Sequence, residues 1–213
     1  MTPAGDILFA SVDAIPLFDK KQAAAEILSL DKKYSFWDDY RFTRMFPLST
    51  KNAALGRAGT SNMNQGEFSW TELAPQSIVD WCENYVFPWI GMRTRVMALL
   101  TEPGVSNYEH FDIDPFQLNT QQHKFRIVLQ GNTNSLYWCT DQGTVAAPDI
   151  ESAFIMDGGW PHGMTNVGDE IKVTLALGSP WQGNDQYSDD ITILQNRNHY
   201  RMPADISSYW PKP

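Results

Sequence analysis

The sequence predicts a mainly β domain in which an antiparallel sandwich or barrel follows a helical N-terminal region. From Arg93 onward, short runs rich in β-branched and aromatic residues alternate with turn signals. No helical pattern separates these runs, and parallel strands would need longer crossovers, so their close spacing favours antiparallel pairing. The chain has 213 residues, which fits one domain large enough to bury a substantial core. We therefore treat 1–213 as a single domain.

Two helices are predicted in the first ninety residues. Residues 20–30 form the first, and Asp19 is a suitable N-cap. Residues 75–87 form the second, with Pro75 in the first turn. Its apolar residues fall on one face at helical spacing: Ile78, Trp81, Cys82, Tyr85 and Val86. Region 1–90 is therefore expected to support the β core with flanking helices.

The β core is expected to span residues 91–180. Its predicted strands are 93–100, 107–112, 123–130, 135–139, 152–156 and 171–177. Residues 181–213 contain three prolines and are expected to form an irregular C-terminal wrap over this core.

Composition limits the classes of function. The formal net charge of −9 argues against general binding to nucleic acid or to an anionic membrane. The sequence contains neither an 18-residue apolar stretch nor a basic N-terminal region before an apolar run. We therefore expect no membrane span and no secretory signal. Two cysteines, Cys82 and Cys139, are too few for a disulfide framework, so a reduced, cytoplasmic location is expected.

The most distinctive motif is His110-Phe111-Asp112, which is followed by His162 and then Lys172. Alternate side chains of an extended strand share a face, so His110 and Asp112 can bind adjacent positions of one metal ion. A histidine from a distant strand, His162, would complete a set of two histidines and one carboxylate. That set leaves the opposite coordination positions open and is typical of non-haem Fe(II) oxygenases.

Four segments, in the same order, resemble the Fe(II)/2-oxoglutarate dioxygenases. The similarity is greatest to the aspartyl/asparaginyl β-hydroxylase-like branch, which also includes some free-proline hydroxylases. The segments are RTRVMALLTEPGVSNYEHFD (93–112), KFRIVLQGN (124–132), FIMDGGWPHGMTN (154–166) and GDEIKVTL (168–175). The resemblance as a whole covers about residues 70 to 180. One position departs from this branch, because Lys172 stands where the branch usually carries arginine.

The resemblance implies a double-stranded β-helix, a relative of the jelly roll and the cupins. It also implies that His110, Asp112 and His162 bind Fe(II), with 2-oxoglutarate as the cosubstrate. The expected reaction hydroxylates an unactivated C–H bond of a small molecule or amino acid and releases succinate and CO2. Relatives that halogenate lack the carboxylate ligand, so the presence of Asp112 favours hydroxylation.

Lys172 and Thr174 share one face of their predicted strand, while Val173 and Leu175 point the other way. In the resemblance, Lys172-x-Thr174 mirrors the pair that binds the distal carboxylate of 2-oxoglutarate. A buried cation with a carboxylate partner and a hydroxyl donor can offset its own desolvation. Lys124 and Arg126 also share a face, and one of them would contact 2-oxoglutarate or a carboxylate of the substrate. A solvated strand edge is the alternative interpretation of these two residues.

The remaining histidines and several aromatic residues have weaker patterns. His123 lies in a polar run and is expected at the surface or beside the ligands, and His199 is expected to be exposed. Four residues are candidates for either the pocket or ordinary packing: Tyr108, Tyr137, Trp160 and Arg126.

Three other functions stay open at the level of sequence. The first is a hydroxylase that acts on an Asp, Asn or Pro residue within a protein. A metal-dependent cupin that does not use 2-oxoglutarate usually has three or four histidine ligands, which fits this motif poorly. A non-catalytic jelly-roll binding module would need no ligands at all. The sequence leaves the oligomeric state open.

Overall fold

A computed structural model of the chain describes residues 2–39, 41–50, 68–112, 123–178, 186–187 and 190–209. The strands in these residues are β1 Thr2–Pro3, β2 Ile7–Val12, β3 Phe36–Asp38, β4 Thr43–Thr50, β5 Ser69–Trp70, β6 Val96–Thr101, β7 His123–Gln130, β8 Leu136–Thr140, β9 Gly143–Ala146, β10 Phe154–Asp157, β11 His162–Met164, β12 Lys172–Leu177, β13 Gln186–Tyr187 and β14 Ile191–Asn196. The helices are α1 Lys20–Leu28, α2 Gln76–Trp81 and α3 Phe87–Ile90, with a π-helical turn at Cys82–Val86 between the last two. Short 3-10 turns occur at Ala4–Asp6, Lys32–Tyr34, Thr133–Ser135, Arg197–His199 and Ser207–Tyr209.

Two antiparallel sheets form the body of the protein. The larger has nine strands in the order β14-β2-β10-β7-β12-β6-β4-β3, with β5 paired to β4. The smaller has the order β11-β8-β9. From β6 to β12 the chain passes repeatedly from one sheet to the other, which is the path of a jelly-roll sandwich. The predicted fold class, a mainly β double-stranded β-helix, is confirmed.

Strand alternation divides the interior into two apolar clusters. Phe125 and Ile127 of β7 and Leu175 of β12 pack on the outer face of the large sheet, together with residues of the helices. Val128 of the same β7 strand points the other way, into a second cluster with Trp138 of the small sheet. One face of the large sheet therefore binds the helices, and the other face is left to line the space between the sheets.

The helices begin where the sequence predicts. Asp19 caps α1, and its carboxylate accepts a hydrogen bond of 2.9 Å from the Gln22 N–H. The second predicted helix continues to Ile90 but is interrupted by the π-helical turn at Cys82–Val86. Pro88 follows this turn and has no N–H to donate, which explains why regular α-helical hydrogen bonding changes here. None of the helices in the described ranges is long and apolar enough to cross a membrane.

The N-terminal region is more than helical support, because it also supplies strands β2 and β4 to the large sheet. All six residues of β2 are buried, so the strand lacks the polar–apolar alternation that would have identified it from sequence. In β4, Pro47 obscures the strand pattern. The expected C-terminal wrap also contains a strand, β14, which pairs with β2. Within the predicted wrap, residues 181–185, 188–189 and 210–213 lie outside the described part of the chain.

The prediction of a regular strand over residues 107–112 is wrong. Within this range only His110 forms a β-bridge, and its partner is His162. The backbone N–H groups of Asn107, His110 and Asp112 donate to the carbonyls of Met164, His162 and Gly158, respectively. These contacts run antiparallel, but the register changes between them, so no continuous ladder forms.

Gly163 gives a test of how closely the β11 and β8 strands approach. An added Cβ would lie 2.5 Å from the Tyr137 hydroxyl oxygen and 2.6 Å from the ring carbon that bears it. We expect Gly163→Ala to lower the free energy of unfolding by about 1–3 kcal/mol, because the rigid ring must move. Urea denaturation should show this loss in the wild-type background and little of it in a Tyr137→Ala background.

Gly5→Ala is the matched control, since nothing lies within 4 Å of its added Cβ. A Gly163→Ala protein as stable as wild type would contradict this packing.

Candidate functional site

The structure brings His110, Asp112 and His162 together. One potential ligand atom from each residue lies within 4.8 Å of the others. The distance from His110 Nε2 to Asp112 Oδ1 is 3.5 Å, and that from His162 Nε2 to Asp112 Oδ2 is 3.3 Å. Two imidazole nitrogens and one carboxylate therefore converge on one point.

Backbone pairing holds the two histidines side by side. The His110 N–H donates to the His162 carbonyl at 2.9 Å, and the His162 N–H donates back at 3.0 Å. Their ring centroids are 4.6 Å apart. The Asp112 N–H donates to the Gly158 carbonyl at 2.9 Å, which brings its carboxylate to the same place. A histidine from the loop after β6 thus meets one from β11, although 52 residues separate them in sequence.

Hydrogen bonds fix the tautomer of both imidazoles. His110 Nδ1 lies 2.7 Å from the carbonyl oxygen of Tyr108, and His162 Nδ1 lies 2.8 Å from that of Trp160. A carbonyl only accepts, so each Nδ1 carries the proton and each Nε2 keeps its lone pair. Both lone pairs belong to the nitrogens nearest Asp112. This is the orientation that metal-binding histidines require.

The charge states of the site suit ligation. Burial disfavours protonation of His162 and lowers its pKa to about 4, so the imidazole is neutral at physiological pH. Burial disfavours ionisation of Asp112, but the charge of Lys124 beside it has the opposite effect. The pKa of Asp112 consequently lies well below its usual value, and the residue is a carboxylate.

Three cations surround this carboxylate, whose side chain is only 1% exposed. Lys124 Nζ lies 2.7 Å from Oδ2, Arg41 Nη2 lies 3.0 Å from Oδ1, and Arg126 Nη2 lies 3.7 Å from Oδ2. Burial is the main cause that lowers the pKa of Lys124 to about 7, which the charge of Asp112 partly opposes. The ligand carboxylate is therefore the common counter-ion of residues from two separate segments, strand β7 and the β3–β4 turn.

The donor set fits a divalent transition metal. His110 Nε2 is buried and lacks a hydrogen-bond partner among the described residues. Buried polar atoms are normally satisfied, and a metal ion held between the two imidazoles and Asp112 would satisfy this nitrogen. Two imidazoles and one carboxylate hold one face of such an ion and leave the other positions open.

A cavity lies next to these ligands, between the two sheets. Its polar lining includes Arg41, Arg126, Lys172 and Thr174, and its apolar lining includes Leu99, Val128, Leu136, Phe154, Met156 and Met164. His110 and His162 form part of the same wall. The prediction that Lys172 and Thr174 share a face is confirmed, and that face borders the cavity.

Lys172 is a buried cation without a carboxylate contact among the residues described. Its Nζ donates to the Asn132 carbonyl and to Ser135 Oγ, both neutral. Burial, with repulsion from Arg126, lowers its pKa to about 7, although the more distant charge of Asp149 partly opposes this shift. The lysine stem packs against Gly131, where an added Cβ would meet Cγ at 3.2 Å, and the φ of Gly131 is 92°. Glycine is therefore suited to this position by both space and conformation.

The structure also tests the expectations for the remaining histidines and for the candidate pocket residues. His123 was expected at the surface or beside the ligands. It is fully buried in β7, which rules out the surface position, because its strand is central in the large sheet. His199 is exposed as predicted. Trp160 packs in the core with its indole N–H on the Cys139 carbonyl, and Tyr108 is 61% exposed. Of the four candidate pocket residues, Arg126 alone is among the cavity-lining residues in the described part of the chain.

Arg41 is the site residue that sequence reasoning missed. It lies in the turn between β3 and β4, and its guanidinium also donates to Asp38 Oδ2 at 2.7 Å. No motif surrounds it in the sequence. Only the three-dimensional contact with Asp112, 71 residues away, connects it with the site.

Neither protein-family models nor curated protein sequences match the chain. Among solved structures, it is similar to HygX from Streptomyces hygroscopicus with nickel and 2-oxoglutarate bound. That match has a TM-score of 0.50 and 11% identity over 87% of this chain and 89% of HygX. The structure of HygX with nickel, 2-oxoglutarate and hygromycin B bound matches with a TM-score of 0.51 and 10% identity, over 83% of this chain and 86% of HygX.

A 2OG-Fe(II) oxygenase family oxidoreductase from Burkholderia pseudomallei gives a TM-score of 0.47 and 12% identity, over 79% of this chain and 81% of the other. At these identities the HygX matches establish the fold alone.

Metal titration tests the ligand set. Co²⁺ added to the wild-type protein should raise its thermal stability, by about 2.7 kcal/mol when the free metal is 100-fold above Kd. His162→Ala should abolish this stabilisation because one of three ligands is lost, whereas His199→Ala should retain it. Differential scanning calorimetry measures the effect. Equal stabilisation of the His162→Ala protein would show that the metal binds elsewhere.

Proposed function

We propose that this protein is an Fe(II)- and 2-oxoglutarate-dependent dioxygenase that hydroxylates an unactivated C–H bond of a small molecule or amino acid. The observation that carries the proposal is the convergence of His110, Asp112 and His162 beside a cavity that also contains the buried cation Lys172. The jelly-roll fold supports it. The four sequence segments favour the aspartyl/asparaginyl β-hydroxylase-like branch within this superfamily.

The three ligands would hold Fe(II) and leave positions for the cosubstrate and oxygen. When bound, the metal and 2-oxoglutarate supply the oxidising chemistry, in which R–H, 2-oxoglutarate and O2 become R–OH, succinate and CO2. The surrounding residues keep His162 neutral and Asp112 ionised, and these are the forms that bind a metal ion. The Nδ1 hydrogen bonds to backbone carbonyls keep both imidazoles oriented while this happens.

Lys172 and Thr174 would bind the distal carboxylate of 2-oxoglutarate. Lys172 is buried next to neutral oxygens, so a carboxylate would supply the missing counter-charge. Thr174 lies on the same face of β12 and can donate its hydroxyl. HygX, which shares the fold, contains nickel and 2-oxoglutarate in its structure. Arg126 and Lys124 would be the next candidates if Lys172 were not the anchor.

The apolar side chains between the sheets would exclude water from the reacting groups. Phe154 and Met156 of β10 and Met164 of β11 line the cavity beside the histidines. In such surroundings a target carbon can be held close to the metal while bulk solvent is kept away. The small size of the cavity favours a small substrate over a residue within a folded protein.

Cosubstrate turnover tests the proposal directly. Purified protein supplied with Fe(II), oxygen and ascorbate should convert 2-oxoglutarate to succinate slowly, and faster when its substrate is present. A panel of amino acids and other small acids, followed by mass spectrometry for the gain of one oxygen, measures both. The proposed function fails if no succinate forms under any of these conditions, and a cupin that does not use 2-oxoglutarate would then be favoured.

Lys172→Ala should raise the KM for 2-oxoglutarate far more than it changes metal affinity. Loss of the cation would leave a carboxylate unpaired in a buried pocket, at roughly 3–5 kcal/mol. Lys172→Arg should restore part of the affinity, and Lys33→Ala at an exposed site is the control. Steady-state kinetics and Co²⁺ titration separate the two effects. An unchanged KM would place the anchor at Arg126 or Lys124.

The affinity for 2-oxoglutarate should fall as pH rises above 7. Lys172 has a pKa of about 7 in the free protein, and a bound carboxylate would raise it. The favourable pairing is therefore fully present below the free pKa and is lost as pH rises towards the bound pKa. Calorimetry at pH 8 in two buffers of different ionisation enthalpy should detect proton uptake on binding.

In the Lys172→Arg protein this proton uptake should disappear, because arginine stays charged throughout the range. Affinity that is constant from pH 7 to 9 in the wild-type protein would contradict the assignment.

A further inference from the structure

We propose that the substrate is a small organic carboxylate with an apolar body, and that Arg41 binds its carboxylate at the entrance of the cavity. This inference rests on the proposed function and specifies the substrate class of the same site. It begins from the distribution of charge around the cavity rather than from the ligand triad.

The cavity is lined by cations. Arg41, Arg126 and Lys172 contribute to its wall, while no acidic residue does so among the described residues. Arg41 contacts the carboxylates of Asp112 and Asp38 at 3.0 Å and 2.7 Å. Lys124 adds a fourth cation on Asp112 at 2.7 Å.

Cationic side chains are more numerous at the cavity than acidic ones. Arg41, Arg126 and Lys172 line it and none of its described lining residues is acidic. Burial lowers the pKa of Arg95 to about 10, and Arg126 and Arg41 contribute repulsion, although the charge of Asp112 opposes the shift. Positive charge concentrated in a partly buried space favours an anionic ligand. Such a site can favour a second anion in addition to 2-oxoglutarate.

Arg126 has an unused donor that points to the same conclusion. Its Nε is buried and has no hydrogen-bond partner among the described residues, although the side chain borders the cavity. Its closest recorded anionic contact is Asp112 Oδ2, at 3.7 Å from Nη2. A buried donor without an acceptor is unfavourable, and an acceptor oxygen from a bound ligand would satisfy it.

Arg41 is placed to meet a ligand that enters from solvent. Its side chain is 31% exposed, whereas that of Asp112 is 1% exposed. The next residue, Phe42, has a φ of 46°, a conformation that is uncommon for a bulky residue. Thr43 Oγ1 supports the turn by donating to the Arg41 carbonyl at 2.7 Å. The chain thus adopts an unfavourable turn that holds this arginine between solvent and the metal ligands.

Aliphatic side chains complete the cavity beyond Arg41. Its wall includes Leu99, Val128 and Met156. A ligand that extended inward from Arg41 would therefore contact apolar side chains. This is why the proposed substrate combines a carboxylate with an apolar body.

Arg41 and Lys172 have separate partners. Arg41 binds Asp38 and Asp112, and Lys172 binds Asn132 and Ser135. The two cations can consequently serve two different anions. We assign the distal carboxylate of 2-oxoglutarate to Lys172 and the substrate carboxylate to Arg41.

Calorimetric titration without oxygen tests this assignment. The protein is loaded with Mn²⁺ and saturating 2-oxoglutarate, so that Lys172 is occupied, and is titrated with hexanoate, hexanamide and hexyl phosphate. Hexanoate should bind at least about tenfold more tightly than hexanamide, because a charge-assisted hydrogen bond is lost in the amide. Hexyl phosphate shows whether a larger anion is preferred.

Arginine variants locate the binding group. Arg41→Gln should remove the preference for hexanoate over hexanamide, and Arg41→Lys should retain part of it because the charge remains. Arg44→Gln is the matched control, because Arg44 pairs across the sheet with Leu100, whose neighbours Leu99 and Thr101 line the cavity. Arg44 therefore faces away from the cavity, where it donates to Ser35 Oγ at 2.7 Å.

The outcomes are distinct. Equal binding of hexanoate and hexanamide, no binding of either, tighter binding of hexyl phosphate, or an unchanged preference in Arg41→Gln would each overturn this inference. The titration of Mn²⁺-loaded protein with 2-oxoglutarate alone is done first and reports on the proposed function. Absence of binding at that step rejects the proposed function, whereas binding there without a preference for carboxylates rejects only the substrate class.

Discussion

The site depends on one buried negative charge, the carboxylate of Asp112. An isolated carboxylate would not stay ionised at this depth, and its environment supplies compensation from Lys124 on β7 and Arg41 in the β3–β4 turn. Breaking any one of these contacts leaves other charges unpaired. The segments that contribute them are distant in sequence, so this carboxylate also ties the loop after β6 to the large sheet. It is a structural centre as well as a proposed metal ligand.

The jelly roll makes such a centre possible because successive side chains of a strand point to opposite faces of the sheet. Polar residues can therefore lie on one face and apolar residues on the other. On β7, Phe125 and Ile127 pack towards the helices while Lys124 and Arg126 face Asp112. On β12, Leu175 packs outward in the same way and Lys172 lines the cavity. Helix packing on the outer face stabilises the sheet that carries the charged residues on the inner face. The unfavourable burial of several cations is thus offset by an extensive apolar interface.

Sequence patterns predicted the parts of this arrangement that are local. Strand β7 has the predicted bounds, His123–Gln130, and the shared face of Lys172 and Thr174 follows from alternation. Strand β2 was not predicted, because a strand buried on both faces shows no alternation. Arg41 was not predicted either, since its role arises from a contact across 71 residues and a turn with no motif. The missed features are those that only the assembled sheets create.

The same electrostatics implies that ligands of opposite charge assist one another at this site. A metal ion placed near Arg41, Lys124 and Arg126 is repelled by them, and each bound anion reduces that repulsion. The low pKa values of Lys124 and Lys172, both about 7, show how strongly burial disfavours positive charge here. An anionic cosubstrate would restore the charge of Lys172 and also complete the coordination of the metal. In the proposed complex the affinities for metal and anion would therefore be coupled, and by linkage each ligand would raise the affinity for the other by the same factor. A cation-rich cavity around one carboxylate thus favours assembly of the complete complex over binding of any single component.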